Sequence, residues 1–183
     1  MSRNDRRLFF RTVVAGKGGG RSMNDRGCCC GSHETCEDPI VVEQRIARPP
    51  EELWRAITEP ERMRQWYFPM LPDFRPEIGF RTQFTVEHEG RAYIHLWEVR
   101  EVEPLRRLTY RWQYAGVDGD SEVTWELEAD GDATLLRLTH RGISTFPRND
   151  PAFRSEACRA GWEYLVQRSL PEFLEADGTT GTK

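Results

Sequence analysis

The sequence predicts an α+β domain: a curved antiparallel β-sheet wrapped around a long C-terminal α-helix, with two short helices after the first strand. Three observations carry this prediction. Residues 78–140 form a run of segments in which apolar and polar residues alternate, joined by short turns such as Glu103-Pro104 and Asp130-Gly131-Asp132. That is the pattern of hairpin-connected strands. A helical stretch from about Pro151 to Ala176 is the one segment long enough to cover the apolar face of such a sheet. Between an opening strand and the strand run, Pro49-Pro50 and Glu59-Pro60 punctuate two short helices.

Taken in order, Ile40 to Ala47 reads as a short strand. Pro50 at a helix start, followed by Glu51 and Glu52, suits the first turn, where a missing N–H is harmless and the dipole favours acids. Leu53, Trp54 and Ile57 give that helix an apolar face, and Pro60 ends it because the residue before proline avoids the helical region. A second helix spans Pro60 to Trp66, and Pro69, Pro72 and Pro76 mark a long loop. Ile78, Phe80, Phe84 and Val86 then share one strand face, and Glu89-Gly90 turns the chain into Tyr93–Val102. Leu108, Tyr110, Trp112 and Tyr114 share a face, as do Val123, Trp125 and Leu127, with Asp118-Gly119-Asp120 read as the turn between them. Leu136, Leu138 and His140 complete the set, and Pro171 is expected to kink the last helix.

The domain so defined covers residues 39–177. Residues 1–38 are expected to be a disordered extension rich in glycine and cysteine, and 178–183 a flexible tail. Arg6-Arg7 resembles a twin-arginine export motif, but the apolar stretch after it is cut short by Lys17 and Arg21, and no small-residue cleavage site follows. Five cysteines without a convincing leader point to reduced thiols and a cytoplasmic protein. A net charge of -4 argues against nucleic-acid binding, and no apolar run reaches membrane-spanning length. Of 26 basic residues, Lys17 and Lys183 are the two lysines, and both lie in the tails. A Schiff-base lysine, a pyridoxal phosphate enzyme and a Walker-type phosphate loop are thereby excluded from the folded part.

Residues 40–176 resemble the SRPBCC superfamily of START and Bet v 1-like helix-grip domains. Within it they are similar to the group named after the C-terminal domain of the heat-shock protein 90 ATPase activator. The likeness is carried by Pro50-Glu51-Glu52-Leu53-Trp54 through Pro60, Met63-Arg64-Gln65-Trp66-Tyr67, Val99-Arg100-Glu101-Val102-Glu103-Pro104, Arg107 to Trp112, Val123 to Leu127, Thr134 to Gly142 and Gly161-Trp162. It implies the helix-grip fold. It does not imply chaperone activation, because the true co-chaperone uses a separate N-terminal domain where this chain has about 38 glycine-rich residues. The fold hosts lipid binders, cyclases and hormone receptors, so function has to be argued from the site.

Candidate chemistry is sparse. His88, His95 and His140 fall on strands with no nucleophile motif beside them, and His95 sits where either face is open: Tyr93, His95 and Trp97, or Ile94, Leu96 and Glu98. Glu98 and Glu101 are the carboxylates nearest a cavity-forming stretch, and Arg81, Arg111, Arg137 and Arg141 fit a solvated outer face. Cys28-Cys29-Cys30, His33 and Cys36 lack the usual spacing of paired metal ligands. Cys158 reads as a packed helical thiol.

Aromatic richness is the positive feature. We expect a cavity between sheet and helix lined by Trp66, Phe68, Phe84, Trp97, Tyr110, Trp112, Trp125, His140, Gly161, Tyr164 and Leu165. It would bind a small apolar molecule, a ring or acyl compound, without transforming it. No catalytic residue, cofactor, metal or membrane insertion is expected, and a homodimer is left open. The alternatives are a cyclase- or hydrolase-type enzyme built on the same pocket, or a stress-related, co-chaperone-like interaction module. Deleting residues 1–36 is expected to leave the melting temperature unchanged. A fall of more than ~5 °C in a thermal melt would show that the extension docks on the domain.

Overall fold

The computed structural model describes residues 39–88 and 90–178. The expected extension, its cysteine cluster and arginine pair, and residues 179–183 lie outside them. Strand β1 (Ile40–Ile46) leads into helices α1 (Pro50–Thr58) and α2 (Pro60–Trp66). Glu59 serves both: its extended backbone (φ -86°, ψ 117°) caps the end of α1 through its N–H to the Arg55 carbonyl and starts α2. Strands β2 (Arg81–His88), β3 (Arg91–Glu103), β4 (Arg107–Tyr114), β5 (Val117–Asp130) and β6 (Ala133–Arg141) follow as a meander. β1 returns to pair with β6, giving one six-stranded antiparallel sheet in the order β1-β6-β5-β4-β3-β2. The C-terminal helix then crosses the apolar face as α3 (Ser155–Tyr164), a π-helical turn (Leu165–Ser169) and α4 (Leu170–Gly178). This is the helix-grip architecture.

Alternation decides the two faces. Phe84 and Val86, Trp97 and Val99, Tyr110 and Trp112, Val123 and Trp125, and Leu136 and Leu138 are buried on the concave side. His95 joins Tyr93 and Trp97 on that side, which settles its parity. The convex face carries arginine–carboxylate pairs set by the register: Arg107 against Glu126, Arg137 against Glu43, Arg81 against Glu98. Arg111 grips Asp120 with two bonds of 2.7 and 2.9 Å. Each such exposed pair is worth about 0.2–1 kcal/mol, so they solvate and align the sheet more than they stabilise it. A register shift between Val99 and Glu101 adds local twist to β3.

Two expectations are corrected. Ile78 and Phe80 do not belong to β2: Gly79 (φ +86°) turns the chain just before Arg81, leaving Ile78 73% exposed. Phe80 instead packs beneath the Arg75 guanidinium, 4.7 Å from the ring centre. Asp118-Gly119-Asp120 is not a turn. The β4–β5 hairpin closes earlier, at Ala115-Gly116, where Tyr114 pairs with Val117. Gly119 lies within β5 because Phe146 presses on it; a β-carbon there would sit 2.2 Å from Phe146 Cδ1. The helix continues through Pro171, where a kink was expected. The preceding π-turn opens the hydrogen-bond ladder, the Leu170 N–H reaching back to the Leu165 carbonyl, so the ring enters where the ladder is already widened.

Gly119→Ala should therefore destabilise the domain by roughly 2 kcal/mol or more, since Gly119 sits at φ +142° and the Phe146 ring that must move is buried against Tyr114 and Phe153. Gly116→Ala, with φ +75° but open space at its β-carbon, should cost about 1 kcal/mol. Urea unfolding of the two variants checks the order, and equal losses would contradict it.

Candidate functional site

The residues after α2 decide how much of the interior is left empty. Trp66, Tyr67 and Phe68 turn inward together and are all buried. Trp66 donates its indole N–H to the Ala56 carbonyl (2.9 Å), and its own carbonyl accepts from the Ser169 hydroxyl in the π-turn (2.7 Å). Tyr67 stacks on Trp66 and Trp97, with ring centres 5.0 and 5.6 Å apart. Its hydroxyl meets that of Tyr110 at 3.0 Å, and Tyr110 also accepts from the Trp125 indole at 3.0 Å. Burial pushes both phenols well above the ordinary tyrosine range. This segment is a plug between sheet and helix, and it fills one end of the grip.

The other end remains open. A cavity of about 110 Å³ lies between the β2–β3 hairpin end, the 3₁₀ turn Pro151–Phe153 and helix α3. Phe68 forms its floor, packed on Phe84 and His95 at 5.1 and 5.3 Å. His95, Trp112, Tyr114 and His140 contribute from the sheet, and Ala157, Cys158, Gly161 and Leu165 from the helix. Phe153 closes one side, its turn held by Asp150. That carboxylate accepts from the Ala152 N–H (3.0 Å) and from Arg91 (3.0 Å), tying the turn to the β2–β3 hairpin.

Of the eleven residues expected to line a cavity, Phe68, Trp112, His140, Gly161 and Leu165 do so. Trp66, Phe84, Trp97, Tyr110 and Trp125 are not among its lining residues. They are buried against the plug and one another, because Tyr67 occupies the space they were expected to surround. Tyr164 is half-buried against the core. The sequence reading missed the other lining residues, His95, Tyr93, Tyr114, Cys158 and Trp162 among them. Strand parity was the available signal for the two tyrosines, since Tyr114 continues the Tyr110 and Trp112 face. Glu98 and Glu101 lie outside the cavity, in ion pairs with Arg100 and Arg107.

The two interior histidines differ in wiring. His140 Nδ1 accepts from the Trp162 indole (2.9 Å), so the proton of the neutral ring resides on Nε2, which faces the Ser121 hydroxyl at 2.9 Å. Ser121 donates onward to the Trp112 carbonyl (2.8 Å). Every polar atom of this chain is engaged in structure, so neither Ser121 nor His140 has the wiring of a nucleophile–base pair. His95 stacks on Phe84 with ring centres 4.9 Å apart, and its Nδ1 has no hydrogen-bond partner. Desolvation lowers both imidazoles to about 3, so both are neutral at physiological pH. Burial pushes the Cys158 thiol up to about 12, and its Sγ contacts the Ala152 carbonyl at 3.6 Å. It is a thiol and not a thiolate nucleophile. Among the described residues no carboxylate, arginine or lysine lines the cavity, and no group of three or more His, Cys, Asp or Glu is placed to hold a metal.

The family model for Activator of Hsp90 ATPase homolog 1-like proteins matches residues 47–175. The chain belongs to that family. Solved structures agree in fold. MLL2253 from Mesorhizobium loti is 29% identical, with 79% of this chain and all of that one covered, at a TM-score of 0.57. DynU16, a protein of the dynemicin biosynthetic locus, is 27% identical over 77% of this chain, at a TM-score of 0.59. The match spans 48% of DynU16, about half its length. A third likeness, of fold, is to the Aha1 dimer from Colwellia psychrerythraea, 21% identical, covering 76% of this chain and 97% of that one at a TM-score of 0.58. No curated protein sequence matches the chain. Among the described residues no helix is long and apolar enough to cross a membrane.

The histidine wiring makes stability pH-dependent. The unfolded chain binds a proton at each imidazole near pH 6.5, while the folded chain resists until about 3. The unfolded state therefore holds more protons across that window. The contribution of the two groups is complete above about pH 6.5 and is lost as pH falls, by about 1.4 kcal/mol per pH unit for each histidine. Urea titrations at pH 7, 6, 5.5 and 5 should show it, and His95→Phe should halve the slope. An unchanged slope in that variant would contradict the assignment.

Proposed function

We propose that the domain binds a small, uncharged, single-ring molecule in the cavity above Phe68 and does not transform it. The observation that carries this is an apolar cavity of about 110 Å³, walled by aromatic rings and lined by no carboxylate, arginine or lysine among the described residues. An apolar cavity of roughly 150 Å³ suffices for benzene. The space here suits one ring and is too small for a long acyl chain or a fused polyketide, both of which need the ~300 Å³ or more of ordinary ligand pockets. Burying a ring's roughly 200 Å² at ~25 cal/mol per Å² gives about 5 kcal/mol before association costs. That gross figure alone corresponds to a Kd of ~0.2 mM, and association costs move an unsubstituted ring to the millimolar range or weaker. DynU16, with its place in a biosynthetic locus, lends support to small-molecule handling on this fold. Residues 39–177 are taken as the binding unit. The enzymatic alternative finds no convergent carboxylate–histidine pair to carry it.

Trp112 and Trp162 line the cavity and supply the readout. Titration with toluene should change Trp emission saturably. Gly161→Leu, which puts a side chain into the cavity from the helix, should weaken binding at least tenfold while leaving the melting temperature within a few degrees. Absence of saturable binding, or equal binding by the two proteins, would overturn the reading.

A further inference from the structure

The cavity wall is apolar except for a few polar atoms, and most of these are already committed. His140 is bonded through both ring nitrogens, the Trp162 indole is bonded to His140, and the Tyr93 hydroxyl reaches the Asp150 carboxylate at 3.3 Å. Cys158 faces the Ala152 carbonyl. His95 stands apart. It lines the cavity, is 4% exposed, and its Nδ1 has no hydrogen-bond partner. Its ring is held on several sides, with Phe84, Tyr114, Trp112 and Phe68 centred 4.8–5.3 Å away. An imidazole so fixed is unusual, since a buried polar group without a partner carries a desolvation penalty that nothing in the fold repays. A phenylalanine in its place would pack on the same rings without that penalty.

We propose that the cavity selects a phenol-like ligand, a single ring bearing one uncharged hydroxyl, which hydrogen-bonds to the His95 imidazole. This rests on the binding reading above and names the ligand class. A hydroxyl both donates and accepts, so it satisfies either tautomer of a neutral ring. Burial keeps that ring neutral, which removes any attraction for a carboxylate, and no cationic side chain among the described residues lines the cavity to supply one. The ring of the ligand would lie against Phe68 and the helix at Gly161, where the wall is apolar.

The test compares phenol with toluene and anisole, which match its shape and lack the donor, and with benzoate, by Trp emission on the wild-type protein and on His95→Phe. Phenol is expected to bind about tenfold more tightly than toluene or anisole, the size of one hydrogen bond, and benzoate more weakly than any. In His95→Phe the preference should vanish while toluene binds as before. Equal binding of phenol and toluene to the wild type would overturn the anchor and leave the binding reading standing. Failure of toluene and phenol alike would overturn both. A phenol preference that survives in His95→Phe would place the anchor elsewhere and reject this one. Should His95→Phe not fold, the ¹⁵N imidazole resonances of His95 in the wild-type protein decide: phenol must shift them and toluene must not, and an unmoved signal rejects the bond.

Discussion

Two tyrosine hydroxyls, on Tyr67 and Tyr110, meet in the middle of the grip, and the interior is arranged around that contact. Neither phenol reaches water, so each needs a protein partner, and each is most of the other's solution. The Trp125 indole completes the set. Because Tyr110 is fixed on a central strand, the bond dictates where the segment after α2 enters. That entry point places Phe68 one residue on, and Phe68 is the floor of the cavity. Ser169 locks the same segment from the helix side, from within the π-turn that also admits Pro171. Plug and floor thus gather around one buried polar requirement, and the π-turn is tied to them through Ser169.

His140 and His95 make a matched comparison. Both face inward from strands, both are buried, and both are driven toward the neutral state. His140 is a structural strut: through Trp162, Ser121 and the Trp112 carbonyl it fastens helix α3 to three adjacent strands. His95 fastens nothing. Burial and residue type are the same in both, so what separates a strut from a binding group is the count of hydrogen bonds already made.

The fold was legible because alternation is a local signal. Leu108, Tyr110 and Trp112 announce a face whatever lies opposite them, and the order of elements then leaves one helix to cover the sheet. Part of the lining set was legible for the same reason, Trp112 and His140 among it. The plug was not. Tyr67 and Tyr110 lie 43 positions apart, and nothing local in Trp66-Tyr67-Phe68 says that it turns inward. Asp118-Gly119-Asp120 and Asp130-Gly131-Asp132 repeat one tripeptide pattern, yet only the second turns, with Asp130 pairing to Ala133. The difference lies in Phe146, a contact remote in sequence that needs a residue without a side chain. Parity told which way His95 would face only once Trp97 was known to be inside.

The convex face of the sheet is built with guanidinium groups throughout, and between Lys17 and Lys183 the chain has not one primary amine on a side chain. Planar forks matched to carboxylates across the strands explain the choice physically. Its consequence concerns covalent chemistry. Acylating agents, aldehydes and conjugating enzymes that target ε-amino groups find nothing to attack on the folded domain. Any such tag is confined to the tails, and a fluorophore or surface tether attached there leaves strands, helix and cavity chemically untouched.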